Sequence, residues 1–189
     1  MNRTRARSIR APMTHGFTLV ELMVTIFVAA VLMAIAIPSF RHIISSTNAG
    51  AASNEMLAAL KYARTEAVTR GSRVAVNASS SGQWGDGWSV MAVAASAGGS
   101  DTILRRHDAL KSNYAVTALP DKTVRMTFDA QGVTGQRAVL TLTDTDSAAR
   151  TDPKTIVIEP SGSIYTCKSP VDGTKPTLET PCRAEESTP

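Results

Sequence analysis

The sequence predicts an α+β protein in which one long N-terminal helix packs against antiparallel β-sheet. Roughly the first 70 residues contain an apolar run followed by an amphipathic run at helical spacing. After residue 72 this period gives way to short runs rich in Val, Ile and Thr, separated by turn residues. A helix and a sheet bury their apolar faces against each other, and this pairing defines the fold class.

The composition suits one domain with an appendage. The chain has 189 residues, of which 43% are hydrophobic and 19% charged, so it is neither disordered nor collagen-like. The mean hydropathy of −0.04 excludes a polytopic membrane protein but not a single span. Four arginines and no acids lie in residues 1–16, and the other 16 basic residues balance the 16 acidic ones. Beyond residue 16, no global basicity indicates nucleic acid.

Phe17–Ile37 is an apolar segment in which Glu21 is the single charged residue. As a helix it spans about 30 Å, the hydrocarbon thickness of a bilayer. The preceding arginines predict a cytoplasmic N-terminus and export of the remaining chain. A secretory signal peptide is the alternative, but its apolar core is shorter and ends in a small-residue cleavage site, which Pro38–Arg41 does not provide.

Glu21 is the anomaly of this segment, because a carboxylate within an apolar span is costly unless it is paired. Cleavage between Gly16 and Phe17 would create an amine at Phe17, one helical turn from Glu21. We expect Glu21 to pair with that amine in its own or a neighbouring subunit. The alternative is that the carboxylate only reaches the membrane interface.

The helix is predicted to continue to about residue 70, with a kink near Pro38, a weak point at residues 48–50 and Gly71 as the C-cap. Turns are expected at Gly85-Asp86-Gly87, Gly98-Gly99, Asp129–Gly132 and Pro160–Gly162. The predicted strands are Arg73–Ala78, Trp88–Ala94, Thr102–Arg106, Val116–Leu119, Thr123–Asp129, Ala138–Thr143, Thr155–Glu159 and Ser163–Cys167.

Cysteine and tryptophan pairs are the next candidates. Cys167 and Cys182 lie in an exported domain, which favours a disulfide over free thiols or a metal pair. A disulfide between them would close a loop of about 15 residues, which stabilises a fold by roughly 3 kcal/mol. Trp84 and Trp88 are expected to cover the sheet from a tight hairpin at Gly85–Gly87, the alternative being an exposed contact surface.

Catalytic chemistry is not indicated. His107-Asp108 is the nearest approach to a catalytic pair, and no nucleophile–base constellation, nucleotide-binding loop or metal-ligand motif accompanies it. We therefore expect no enzyme activity, no cofactor and no metal.

The segment His15–Met23, HGFTLVELM, resembles the class III signal of type IV pilins and type II secretion pseudopilins. The resemblance implies that a prepilin peptidase cuts after Gly16 and methylates the new N-terminus at Phe17. It further implies that Glu21 acts in assembly with other pilins and that Pro38 is the helix-kinking proline. The leader would be residues 1–16, the membrane half of the helix 17–37, its periplasmic half 38–71 and the globular domain 72–189.

Two further stretches are similar to the FimT/GspH group, Leu60–Gly71 and Gln83–Trp88. This resemblance implies a pilin-like fold with a β-sandwich-like globular domain in the periplasm, anchored in the inner membrane. The implied function is a minor type IV pilin that primes or caps pilus assembly. The alternatives are a GspH-like minor pseudopilin of type II secretion and a DNA-receptor pilin for natural transformation.

DNA binding is disfavoured by the residues themselves. Some FimT-like pilins bind DNA through a C-terminal glycine–arginine motif, but Gly162–Cys167 contains no arginine, and residues 160–189 carry a net charge of −1. Phosphate contact requires clustered positive charge. The remaining candidates for such a cluster are Arg105, Arg106, Arg125 and Arg137.

Overall fold

The computed structural model describes residues 17–80, 83–96, 98–111, 113–145, 152–169 and 176–182. The chain divides into two compact units, residues 1–37 and residues 38–189. One helix, α1 (Leu19–Arg70), contributes residues to both units. It is uninterrupted at residues 48–50, where the sequence predicts a weak point.

The helix ends where the sequence predicts, because Gly71 adopts the left-handed conformation with φ +59°. The Gly71 N–H donates to the Val68 carbonyl and the Ser72 N–H donates to the Ala67 carbonyl, both at 3.2 Å. These two bonds form a Schellman motif, which satisfies carbonyls that the helix leaves open. The chain then turns directly into the first strand.

Eight strands form two four-stranded antiparallel sheets. The first sheet has the order β3-β2-β1-β5, and the second has the order β4-β6-β7-β8. The strand bounds are β1 Val74–Ser80, β2 Gln83–Ala92, β3 Thr102–His107, β4 Tyr114–Leu119, β5 Arg125–Phe128, β6 Ala138–Asp144, β7 Lys154–Ile158 and β8 Ile164–Lys168. The α+β class and the helix-on-sheet packing are confirmed, and each predicted strand is present with shifted ends.

One apolar cluster joins α1 to both sheets. The helix presents a stripe at residues 56, 60, 63 and 67, which is the spacing of a single helical face. Its partners come from alternate positions of the strands, so each strand gives the core one face. The buried members are Met56, Leu60, Ala63, Ala67, Val74, Val76, Trp84, Trp88, Val90, Met126, Phe128, Ala138, Leu140, Ile156 and Ile158.

Two glycine turns, one after β5 of the first sheet and one after β7 of the second, approach each other beside Arg64 of the helix. The Arg64 Nε donates to the Gly132 carbonyl at 3.1 Å. Gly132 and Gly162 have φ of +75° and +81°, and a Cβ on Gly162 would overlap the Gly132 carbonyl oxygen. Only glycine fits this crossing without displacing a turn. The predicted turns at Asp129–Gly132 and Pro160–Gly162 therefore fix the helix against the sheets.

The predicted hairpin turn at Gly85-Asp86-Gly87 is wrong, because these residues lie inside β2. Ser80 and Gln83 are partners in the register of β1 and β2, so the connection is residues 81–82, outside the described residues. A two-residue connection suits an antiparallel hairpin. The pairing of β1 with β2 therefore places the chain reversal before Gln83, and Gly85 and Gly87 become part of the strand. The tryptophans are nevertheless core residues, with exposures of 0% for Trp84 and 1% for Trp88.

A disulfide joins Cys167 of β8 to Cys182, with 5.6 Å between the Cα atoms. The described C-terminal segment, residues 176–182, contains neither helix nor strand. Arg137 holds it at a second point, because its Nη1 donates to the Leu178 carbonyl at 2.7 Å. The other terminal nitrogen of Arg137 pairs with Glu159 at 2.6 Å.

Candidate assembly site

The N-terminal part of α1 has apolar side chains exposed on every side. Leu19–Ile37 has a mean hydropathy of 2.6, and by length and composition it is able to cross a membrane. None of this window is buried within the structure. The exposed large side chains are Phe17, Leu19, Val20, Leu22, Met23, Val24, Ile26, Phe27, Val28, Val31, Leu32, Met33, Ile35 and Ile37. Such a surface requires lipid or other apolar helices around it.

Thr18 begins this helix as its N-cap. Its Oγ1 accepts a hydrogen bond from the Glu21 backbone N–H at 3.2 Å, and its carbonyl accepts from the Leu22 N–H at 3.2 Å. This role of Thr18 is not among the predictions made above, although Thr-x-x-Glu before an apolar run is a capping-box pattern. The cap places Glu21 in the first turn, where the helix dipole favours a negative charge.

The other predicted processing and assembly residues are only partly described. Phe17 immediately precedes Thr18 and is 79% exposed. Gly16 lies outside the described residues, and Pro38 is placed within α1 by its backbone. Cleavage after Gly16, methylation at Phe17, the kink at Pro38 and the pairing of Glu21 stay predictions.

In the second unit, Ser45 is a point at which α1 contacts the β-sheets. The Tyr114 hydroxyl donates to the Ser45 carbonyl at 3.1 Å, and the Ser45 hydroxyl donates to Asp144. Ser45 and Tyr114 are buried, at 8% and 7% exposure. Among the described side chains that precede Ser45 in this unit, Phe40, Ile43 and Ile44 are exposed. The helix surface available to partners therefore includes apolar residues beyond Ile37.

The four arginines considered for DNA contact do not form one positive cluster. Arg105 and Arg106 lie on edge strand β3, whereas Arg125 lies on β5 at the opposite edge of that sheet. Arg105 stacks over the Tyr62 ring at 4.3 Å, and Arg125 pairs with Asp101 at 2.9 Å.

The acidic partners of these arginines further reduce the local positive charge. Arg137 pairs with Glu159, as described above. The Ala94 N–H and the Arg125 guanidinium hold the pKa of Asp101 below its usual range, so this partner of Arg125 is ionised at neutral pH. Burial opposes the charge of Arg137, but hydrogen bonds to Glu159 and Tyr165 outweigh it and raise the pKa of the guanidinium. The arrangement gives weak support to a phosphate-binding surface.

His107 has no catalytic partner of the kind that the sequence invites. Its Nδ1 lies 3.0 Å from the backbone carbonyl of Asp108 rather than from the Asp108 carboxylate. Its Nε2 lies 2.9 Å from the Glu55 carboxylate of α1. Within the described ranges, no group of three or more His, Cys, Asp and Glu side chains is placed to hold a metal ion.

The helix, the fold and the N-terminal pattern together define a type IV pilin or pseudopilin. Residues 12–37 match the prokaryotic N-terminal methylation motif. Residues 52–162 match the family described as Type II transport protein GspH. This match covers more than half of the sequence, and the chain belongs to the GspH family. A search of curated proteins finds no match.

Solved structures of minor pilins share the fold. The type IV minor pilin FimU of Pseudomonas aeruginosa is similar at 24% identity and a TM-score of 0.56, over 65% of this chain and 90% of that one. A second crystal form of FimU gives 23% identity and a TM-score of 0.52, over 62% and 90% of the two chains. The minor pseudopilin EpsH of the Vibrio cholerae Type 2 Secretion System aligns at 11% identity and a TM-score of 0.49, over 64% of this chain and 97% of that one.

Proposed function

We propose that this protein is a minor type IV pilin, a structural subunit that primes or caps pilus assembly. The observation that carries the proposal is the methylation motif at residues 12–37, which contains the apolar stretch Leu19–Ile37 and precedes a GspH-family domain at residues 52–162. The function is assembly rather than catalysis. FimU, a type IV minor pilin of the same fold, is the precedent for the pilus.

The mechanism begins with the subunit held in the inner membrane by residues 17–37, with residues 72–189 in the periplasm. Prepilin peptidase removes residues 1–16 by cleavage after Gly16 and methylates Phe17. The new amine and Glu21 are then one helical turn apart, and pairing neutralises both charges in a low-dielectric environment. Helices of neighbouring pilins replace lipid around the apolar side chains, and the globular domain remains at the filament surface or tip.

The experiment that tests the pilus role compares surface pili of a deletion strain with those of the complemented strain. We expect loss of sheared major pilin on deletion and recovery on complementation. A Gly16→Ala variant provides a control for processing, because it should complement poorly and accumulate as the uncleaved chain. Unchanged pili in the deletion strain would refute the proposal.

The second candidate is a minor pseudopilin of a type II secretion system, which the description of the matching family favours. It has the same leader, helix and domain, and differs only in the filament that it joins. Loss of a secreted hydrolase from the medium of the deletion strain, with pili retained, would support it. DNA reception is not proposed, because Arg105 and Arg106 lie at the opposite edge of the first sheet from Arg125, and both Arg125 and Arg137 are paired with acids.

A further inference from the structure

A polar groove runs between α1 and the last two strands of the second sheet. It has a volume of about 460 Å³, which is in the range of ligand-binding clefts. Its lining residues come from α1, β7 and β8. They are Gly50, Ser53, Asn54, Lys154, Thr166, Cys167 and Lys168. The lining thus contains two lysines and no acidic residue, which gives it a positive charge.

Lys154 and Lys168 lie side by side on the helix-facing side of this sheet. Residues an even number of positions apart share one face of a strand, so Lys154 lies on the face of Ile156 and Lys168 on that of Ile164. Ile156 belongs to the apolar core, and Ile164 packs against it. The two lysines are also direct partners in the register of β7 and β8. Like charges in opposed positions repel, so an anion bound between them would stabilise this end of the sheet.

Gly50 leaves the helix wall of the groove open. It lies inside α1, where glycine is less favourable than alanine. The packing of the fold does not require glycine at this position, because a Cβ there would meet nothing within 4 Å. The missing side chain instead allows the backbone of a ligand to approach the helix closely. This is a second indication of a ligand, independent of the two lysines.

The uncharged polar residues of the groove favour a peptide as the ligand. Ser53, Asn54 and Thr166 add hydroxyl and amide groups beside the lysines. An asparagine side chain both donates and accepts hydrogen bonds, which matches the N–H and C=O groups of an extended backbone. A lysine ammonium group offers three donors and no acceptor, and it pairs with carboxylates. The combination fits an extended segment with acidic side chains better than it fits an isolated phosphate, which offers the asparagine carbonyl no donor when it is fully ionised.

We propose that this groove binds an extended acidic segment of a partner protein. Carboxylate side chains of that segment pair with Lys154 and Lys168, and its backbone passes over Gly50. All of the lining residues belong to the unit formed by residues 38–189. The proposal therefore holds whichever filament the subunit joins, and its failure would leave the pilus role untouched.

The test uses the full chain in detergent, an amidated hexaglutamate peptide and a water-soluble carbodiimide, which couples carboxylates to lysines in contact with them. Mass spectrometry gives the yield of peptide adduct at each lysine, and arginines of the leader do not react. We expect yields at Lys154 and Lys168 about fivefold above those at Lys61 and Lys111, the preference that an exposed ion pair can supply. Lys61 and Lys111 are exposed lysines outside the groove. High salt should remove the preference.

Two substitutions separate binding from folding. Gly50→Ala should raise the denaturant midpoint, because alanine favours the helix, and should lower the coupling at both groove lysines by filling the open position. Lys154→Gln should also raise the midpoint, because it removes the repulsion across β7 and β8, and should lower the coupling at Lys168. Lys61→Gln is the matched control, since it removes a lysine of α1 outside the groove. It should leave the coupling at Lys168 unchanged.

Three results would overturn the proposal. The first is equal coupling of the peptide at the groove lysines and at Lys61 and Lys111. The second is coupling that Gly50→Ala leaves unchanged, or that it lowers only together with the denaturant midpoint. The third is inorganic phosphate that suppresses the coupling as strongly as free hexaglutamate at the same concentration of charge, because the groove would then bind anions in general rather than an acidic segment.

Discussion

Substituting Gly162 by alanine should disrupt the place where both sheets meet the helix. The positive φ of 81° alone costs an L-residue about 1–2 kcal/mol. The added Cβ also overlaps the Gly132 carbonyl oxygen and lies 3.0 Å from its carbon and from the Arg64 Nε. If the two turns separate, the hydrogen bond between Arg64 and the Gly132 carbonyl is lengthened or broken. A hydrogen bond with a charged partner contributes about 1.5–3 kcal/mol to the free energy of unfolding. We expect Gly162→Ala to lower the free energy of unfolding by roughly 3–5 kcal/mol in total.

Gly135→Ala is the matched control for this substitution. Gly135 has a similar φ of +70°, but a Cβ there meets nothing within 4 Å. Gly135→Ala should lower the free energy of unfolding only by the conformational cost of about 1–2 kcal/mol. The assay is denaturant unfolding of both variants in detergent, followed by the fluorescence of the buried tryptophans. Equal free energies of unfolding for the two variants would refute the packing argument.

Three further substitutions test other contacts. Arg137→Met should leave the Cys167–Cys182 disulfide intact but increase protease cleavage near Leu178, because the second attachment of the C-terminal segment is removed; unchanged cleavage would contradict this. Tyr114→Phe should lower the unfolding free energy by about 1–2 kcal/mol through loss of the hydroxyl bond to α1, and a denaturant midpoint equal to the parent's would argue against it. Because folding lowers the pKa of Asp101 below its unfolded value of 3.8, the ionised carboxylate stabilises the fold above that pH, and this contribution is lost as the pH falls further. Asp101→Asn should therefore reduce the fall of the denaturant midpoint at acidic pH, measured over a series of pH values.

The periodic spacing of apolar residues along the chain explains most of the correct predictions. The helix end at Gly71 and the buried stripe of Leu60, Ala63 and Ala67 follow from periodicity and one glycine. Local turn chemistry was less reliable at Gly85–Gly87, because several glycines compete and the paired strands decide which connection is used. The Arg64 crossing was not predicted, since it depends on two turns about 30 residues apart that meet only after both sheets have formed.

Some features of the candidate assembly site could be predicted from the sequence, whereas contacts between distant elements could not. The apolar segment and Glu21 are visible in the sequence because a charge within an apolar run is rare. The Thr18 cap also has a sequence signal, because the Thr-x-x-Glu spacing before an apolar run is typical of a capping box. The contacts of His107 with Glu55 and Trp88 had none, because they join residues from three elements distant along the chain.

The most direct test of the assembly function is the recovery of a Glu21→Ala subunit in sheared filaments, relative to its amount in the membrane. Processing is monitored in the same samples by the size of the mature band, and Glu66→Gln controls for removal of an acid elsewhere on α1. The assembly mechanism predicts normal cleavage and a strongly reduced filament fraction for Glu21→Ala alone. Equal recovery of Glu21→Ala and the parent in filaments would contradict it.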